Sequence, residues 1–441
     1  MKLSSFWDTL RTSYWFVPML MAVASAALWV VLYTLDLRLE DTTIRSLRWI
    51  YTGGPDGARD VLSAIAGSMI TVTGVVFSIT IVALTLASQQ FGPFLLRNFM
   101  RDKGNQVVLG TFIATFLFCL LALRTVRGTG NIIFVPHLSV SAGVMLALLS
   151  LGVLIYFIHH VSAFIQASTI ISVVSRDLED AIDRLFPEQL GHGISEYAEP
   201  AAPEWEIPVR FTTESSPVAA HGYGYIKAID TDTLLGIAGE RDIVIRLMKR
   251  PGDFTGAHDV IATVWPGEAV DDDLGAAINE SILLGNQRTA TQDVEFVVNQ
   301  IAEVAVRALS PGINDPFTAV ICIDHLGQGL RRMAGRSIPS PFRYDGDGTL
   351  RVIAYPSTFA DVAATAFDQI RYYGRSNVVV TRRLLETISA VAPHLRRQED
   401  RKALLRQAEM IERGSREGIV EEEDRKEIRR IYRETLAALT Y

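Results

Sequence analysis

One uncharged stretch of the sequence carries small and hydroxyl-bearing residues at helical spacing. No charged residue lies between Asp60 and Arg97. Hydroxyl oxygens can replace part of an ion's hydration shell, so such a stripe is suited to the wall of a polar pathway through a membrane. In a helix, which turns by about 100° per residue, the small and polar residues of this stripe fall within one narrow arc. They are Gly67, Thr71, Gly74, Ser78, Thr85 and Gln89.

The same stripe has a structural interpretation. Glycine and hydroxyl residues let helix backbones approach closely in a membrane, where no hydrophobic drive brings helices together. Ile65, Val72, Val76 and Ala83 fall on the opposite face, which suits lipid or an apolar neighbour. A packing seam within the chain and a hydroxyl-lined pathway require the same residue types. Both hypotheses therefore stand.

A second group of polar residues accompanies the motif SPGINDP in the C-terminal half. Asp315 is suited to cap a helix that begins at Pro316, because its side chain accepts orphan N–H bonds and Pro has no N–H to leave unpaired. This interpretation makes the motif a tight corner between two helices. The alternative is an ion or ligand site built from Asn314, Asp315, Asp324 and His325.

The stripe belongs to one of four segments that are long and apolar enough to cross a bilayer. A span needs about 20 apolar residues. Segments two and four exceed that length, so we expect these helices to extend beyond the bilayer on the side of the C-terminal domain. The segments cover about residues 13–35, 61–96 and 104–123, and the fourth follows Pro136 without a charge until Arg176.

The rest of the chain alternates between strand and helix patterns. The predicted fold class is a membrane α-helical protein with four transmembrane helices and a C-terminal cytosolic α+β domain that includes a small β subdomain. We divide the chain into a four-helix transmembrane domain at 1–175, a helical extension and linker at 176–206, a small β domain at 207–270, an α+β domain at 271–390 and a charged helical hairpin at 391–441.

Two long motifs carry a resemblance to a known family. They are SMITVTGVVFSITIVALTLASQQFGPFLLRNFMRDKGNQVVLGTF and RTATQDVEFVVNQIAEVAVRALSPGINDPFTAV. Together they resemble the bacterial membrane-protein family known as domain of unknown function 2254, and the resemblance covers nearly the whole chain. It implies an N-terminal multi-span region and a cytosolic C-terminal domain. It brings no established activity, so no functional residue is carried over.

Composition and missing motifs narrow the function classes. The net charge of −7 gives no support for nucleic-acid binding, which requires a basic face. The sequence has no Walker loop, dinucleotide fingerprint, Cys/His metal cluster or nucleophile elbow. We therefore predict no enzyme, no cofactor and no metal site. The middles of the spans lack acidic and basic residues, which argues against a proton-relay pump.

These observations leave two classes of function. The first is an integral membrane homo-oligomer that acts as a passive ion channel lined by the second transmembrane helix. The alternative is a membrane-anchored scaffold or sensor whose cytosolic domain binds a partner or ligand. The expected partners are the lipid bilayer, further copies of the chain and ions, without nucleic acid.

The expected location is the inner (plasma) membrane, with both termini and the C-terminal domain in the cytoplasm. Basic residues divide equally between the two sides of the four predicted spans, so the positive-inside rule gives no orientation. The orientation rests instead on the C-terminal domain, which carries no secretory signature.

Overall fold

The chain forms two compact units, Met1–Thr169 and Ile170–Tyr441. The computed structural model describes residues 15–38, 51–92, 102–128, 134–164, 166–186 and 207–440. Most of the predicted linker, residues 187–206, lies outside the described residues, as does the end of the second apolar segment at 93–96.

Four long apolar helices form the first unit, which confirms the sequence prediction. Each has the length and hydropathy of a membrane span. Helix α2 begins at Pro55 and ends at Phe91, and the residue that follows, Gly92, has a φ of 108° that is readily adopted only by glycine. The helices are α1 (Phe16–Arg38), α2 (Pro55–Phe91), α3 (Lys103–Thr125) and α4 (His137–Phe164).

Helix α3 is the centre of this unit. It packs against α1, α2 and α4, and its apolar stretch is more buried than that of any of the other three helices. Phe112 and Phe118 of α3 are fully buried. Two clusters form the core: Val76, Ala83, Val108, Phe112, Phe157 and Val161 in one, and Ala58, Leu62, Ala66, Phe118, Cys119, Ala122, Val126 and Val140 in the other.

The fourth apolar run of the sequence divides into two helices. Helix α4 ends at Phe164, and α5 spans Ala167–Leu185. Helix α5 is amphipathic: Leu178 and Ile182 on its apolar face are buried, and Asp183 on its polar face pairs with Arg332. The apolar sequence before Arg176 therefore supplies both the last long helix of the first unit and the start of the second unit.

The second unit contains two β-sheets. The larger has the strand order β1-β5-β3-β8-β7, and the smaller has the order β4-β2-β6. Strands β3 and β8 pair in parallel, with Ile245 opposite Val352, whereas the other pairs are antiparallel. The strands are β1 (Ser216–Ala219), β2 (Gly224–Ile229), β3 (Val244–Leu247), β4 (Phe254–Thr255), β5 (Val260–Trp265), β6 (Ile282–Gly285), β7 (Phe342–Tyr344) and β8 (Leu350–Ile353).

Helices surround and follow the sheets. Helix α8 packs against α9 and α10, α10 packs against α12, and α11 packs against α9 and α13. They are α6 (Thr231–Glu240), α7 (Asp272–Glu280), α8 (Val294–Ala308), α9 (Pro316–Ala334), α10 (Phe359–Gly374), α11 (Val378–Val391), α12 (Gln398–Gly418) and α13 (Glu422–Thr440), with short helical turns at Phe211–Glu214, Gly267–Ala269 and Ala392–His394.

A buried carboxylate fixes the loop that enters α8. Asp293 accepts the backbone N–H of Phe296 at 2.9 Å and forms two hydrogen bonds with Arg288, at 2.8 and 3.0 Å. Gly252 lies against it with φ of 96°, and a Cβ there would come within 2.3 Å of Asp293 Oδ2. Gln292 bonds the backbone N–H and carbonyl of Ile229 on β2. These contacts explain the RTATQDVEF part of the second motif.

Candidate functional site

The structure places the whole polar stripe of α2 on the outside of its own protomer. The opposite face of the helix packs inward, where Val76 and Ala83 join Phe112 and Phe157 in the core. The apolar face is therefore covered by neighbouring helices of the same chain, and none of the described helices covers the polar face. The six exposed stripe residues are Gly67, Thr71, Gly74, Ser78, Thr85 and Gln89.

Among the described residues, the stripe does not form a packing seam within the chain. Such a seam requires the small residues to face other helices of the bundle. A Cβ added at Gly67 or at Gly74 would meet no described atom within 4 Å beyond the neighbouring backbone of α2 itself. The glycines therefore do not mediate close helix contacts in the protomer. Helix packing is instead achieved by the apolar face, on which Ala83 and Ala87 are buried.

Two of the three hydroxyl groups of the stripe are oriented by the helix backbone. Thr71 Oγ1 donates to the carbonyl of Gly67 at 2.9 Å, and Thr85 Oγ1 donates to the carbonyl of Ile81 at 2.9 Å. Each of these two hydroxyl hydrogens is thus donated to a backbone carbonyl of the same helix. A hydroxyl oxygen keeps lone pairs after donating its hydrogen, so these oxygens can accept a hydrogen bond from water or coordinate a cation.

Large apolar side chains border the stripe on both sides. Ile70 and Phe77 lie on one flank, and Val82 and Leu86 lie on the other, each about half exposed. The exposed face of α2 is therefore a narrow polar band between two apolar margins. Apolar margins of this kind suit lipid or the helices of another subunit.

The SPGINDP motif forms the predicted corner between α8 and α9. Asp315 caps α9: its carboxylate accepts the backbone N–H of Thr318 at 3.1 Å and the Thr318 hydroxyl at 2.5 Å. Asn314 adopts φ of 50°, in the left-handed region that Asn tolerates. The cap prediction is confirmed, and both carboxylate oxygens of Asp315 have protein partners.

The other two residues of the predicted ligand site lie elsewhere. Asp324 forms a two-pronged ion pair with Arg383 of α11, with distances of 2.5 and 2.8 Å. Nine residues of helix separate it from Asp315, about 13 Å along the axis. His325 is half-buried beside it on α9. The structure therefore does not bring Asn314, Asp315, Asp324 and His325 together as one site.

Sequence reasoning missed two carboxylates that organise the helix ends of the first unit. Asp36, at the end of α1, accepts the backbone N–H groups of Leu138 and Ser139 and the Ser139 hydroxyl, at 2.8, 3.1 and 2.8 Å. Asp102 caps α3 through Gly104 and lies 2.5 Å from Nε2 of His160. No local signal identifies such pairs, because their members lie far apart in the chain.

These features define the class of protein: a membrane protein with four apolar helices, followed by a region of helices and small sheets. The chain belongs to the family described as "Predicted membrane protein (DUF2254)", whose model matches residues 11–390. This match confirms the resemblance carried by the two sequence motifs.

The chain is also similar to mycobacterial proteins. It is 32% identical over 427 residues to Uncharacterized protein Mb1321c of Mycobacterium bovis, and the match covers 95% of this chain and 79% of the relative. The same values hold for Uncharacterized protein Rv1290c of Mycobacterium tuberculosis. No solved structure matches the chain.

Proposed function

We propose that the protein is a homo-oligomer of the plasma membrane in which copies of α2 surround a passive pathway for ions. On this proposal the protein catalyses no reaction. The observation that supports the ion pathway is that the six-residue polar stripe faces away from the protomer's own bundle. A polar group that faces lipid loses the hydrogen bonds that water supplies, whereas one that faces a hydrated pathway keeps them.

The chemistry of the stripe suggests what kind of pathway it would form. The stripe contains hydroxyl and amide groups and no charge, so oxygens such as those of Thr71, Ser78 and Thr85 would replace part of an ion's water shell. Neutral hydroxyl oxygens favour cations over anions less strongly than a ring of carboxylates does. We therefore expect low selectivity in the wild-type protein.

The length of α2 supports the same proposal. Its 37 residues span about 55 Å, against about 30 Å for the hydrocarbon core of a bilayer. A helix of this length can line both the crossing and a vestibule beyond it. We propose that this vestibule opens on the cytoplasmic side.

Substitution of Ser78 tests the pathway directly. Ser78→Leu should abolish most of the single-channel conductance, because an apolar ring at this position disfavours water. Ser78→Asp should raise the cation-to-anion permeability ratio several-fold, because a ring of carboxylates attracts cations. Both are measured as currents and reversal potentials of purified protein in planar bilayers.

The neighbouring residue supplies the matched control. Ile79 is 44% exposed but lies about 100° away from Ser78 around the helix. Ile79→Leu should leave conductance and selectivity unchanged. The purified wild-type protein should also have a mass in detergent that is a multiple of the protomer mass. Absence of current in the wild type, or equal currents in all variants, contradicts the proposal.

Labelling of introduced cysteines tests the proposed orientation. Lys103→Cys, Arg127→Cys and Lys426→Cys each place a thiol at an exposed position. In intact cells, an impermeant maleimide should label only the Arg127→Cys protein. The other two should require permeabilised cells. Labelling of Lys103→Cys and Arg127→Cys from the same side would show that α3 does not cross the membrane.

The native cysteines allow this experiment in the wild-type background. Cys119 and Cys322 are both fully buried. Burial also raises the pKa of the Cys322 thiol, which disfavours the reactive thiolate. The unmodified protein should therefore give little signal.

A further inference from the structure

The second unit contains a cavity lined by arginines. It has a volume of about 310 Å³ and lies between the C-terminal turns of α10 and α12. Pockets for small ligands begin at about this size. Its principal lining residues are Arg371, Tyr372, Arg375, Met410, Arg413 and Glu417.

The lining carries an excess of positive charge. Three arginines line the space, and Glu417 is the one acidic residue among the described residues that line it. The neighbouring acids neutralise the arginines incompletely. The guanidinium of Arg371 is 3.3 Å from the carboxylate of Asp368. The guanidinium of Arg413 is farther from its nearest acidic partner, at 3.9 Å from Glu409. A cavity of this composition favours an anion.

Two arginines have donor capacity to spare. Arg371 uses one terminal nitrogen of its guanidinium for Asp368, which leaves the other terminal nitrogen for a ligand, whereas its Nε is buried and shielded from the cavity. The guanidinium of Arg375 lies over the ring of Tyr372, 5.3 Å from its centroid, and no described carboxylate pairs with it. An anion in the cavity would accept charge-assisted hydrogen bonds from these two guanidinium groups.

The helix dipole explains only part of this arrangement. Basic residues near helix C-termini are stabilised by the last carbonyl groups, and Arg371, Arg375 and Arg413 all lie close to such ends. That effect does not require the three arginines to line one cavity, as they do here. The same carbonyl groups repel anions, so an anion bound here must be held by the guanidinium groups themselves.

We propose that this cavity binds a small soluble ligand that carries a phosphate group and a planar ring. Guanidinium groups match phosphate oxygens with paired, charge-assisted hydrogen bonds. Tyr372 is 57% exposed and offers an aromatic surface for the planar part of the ligand. The inference is independent of the proposed ion pathway, which concerns the other unit.

Titration of the full-length protein in detergent with AMP, inorganic phosphate and adenosine tests the proposal. AMP should bind saturably and more tightly than inorganic phosphate, whereas adenosine should not bind. Arg371→Gln and Arg375→Gln should each weaken AMP binding about tenfold, since each removes a charge-assisted contact. Glu417→Gln should tighten AMP binding, because it removes the carboxylate that opposes the phosphate.

Arg430→Gln is the control, because Arg430 is exposed on α13, pairs with Glu434 and does not line the cavity. It should bind AMP as the wild type does. Thermal melting of each variant shows whether the fold is retained, and the gain expected for Glu417→Gln cannot result from unfolding. Absence of AMP binding to the wild type, or equal affinity in the wild type and both arginine variants, overturns the proposal.

Discussion

Replacement of Asp293 by alanine is expected to destabilise the second unit by about 3–5 kcal/mol. The side chain of Asp293 is only 2% exposed, and its oxygens hold both Arg288 and the first turn of α8. Truncation leaves a partly buried guanidinium without its carboxylate and a helix N-terminus without its cap. The cap is needed where α8 begins its packing against α9 and α10.

The measurement is the urea midpoint of the second unit in the full-length protein, followed by pulse proteolysis. Asp271→Ala is the matched control, because Asp271 also caps a helix, α7, and also pairs with an arginine, Arg241. Asp271 is exposed to solvent, so water replaces its partners when it is removed and the loss should be clearly smaller. Equal losses in the two variants would contradict the role assigned to burial.

Phe367→Ala is expected to cost about 3–5 kcal/mol, the range for removal of a large buried aromatic side chain. Phe367 is fully buried on α10, the helix that packs against both α8 and α12. Its removal loses the transfer free energy of the ring and leaves a void among three helices. The same urea midpoint reports the effect.

Tyr373→Ala provides the comparison on the same helix. Tyr373 is 52% exposed, so its truncation should change stability by less than about 0.5 kcal/mol, as for most surface positions. A loss near that of Phe367→Ala would show that Tyr373 is covered in the assembled protein. A small loss for Phe367→Ala would mean that the surrounding helices close the void.

The parts of the fold that depend on local sequence could be predicted. The four apolar helices follow from the length of uncharged segments, because lipid leaves the backbone no partner outside a helix. The cap of α9 follows from Asp315 and Pro316, since the accepted N–H belongs to Thr318, three residues later. In each case the interacting groups are neighbours in the chain.

The parts that depend on distant residues could not be predicted. Asp36 pairs with the start of α4 about 100 residues later, and Arg383 pairs with Asp324 from another helix. The helical period placed the six small and polar residues of α2 in one arc. It did not reveal which face the bundle covers, because a stripe of small residues and an apolar face both pack well. Only the positions of α3 and α4 decide this.

The parallel pairing of β3 with β8 has a consequence for synthesis on the ribosome. Strand β3 can pair with β5 soon after both strands have been synthesised. Its other edge pairs with β8, which is synthesised roughly 100 residues later. During that interval the unpaired backbone of β3 is open to strands of other nascent chains. Completion of the sheet is therefore expected to follow translation of residue 353, and variants that weaken β8 should aggregate during synthesis rather than afterwards.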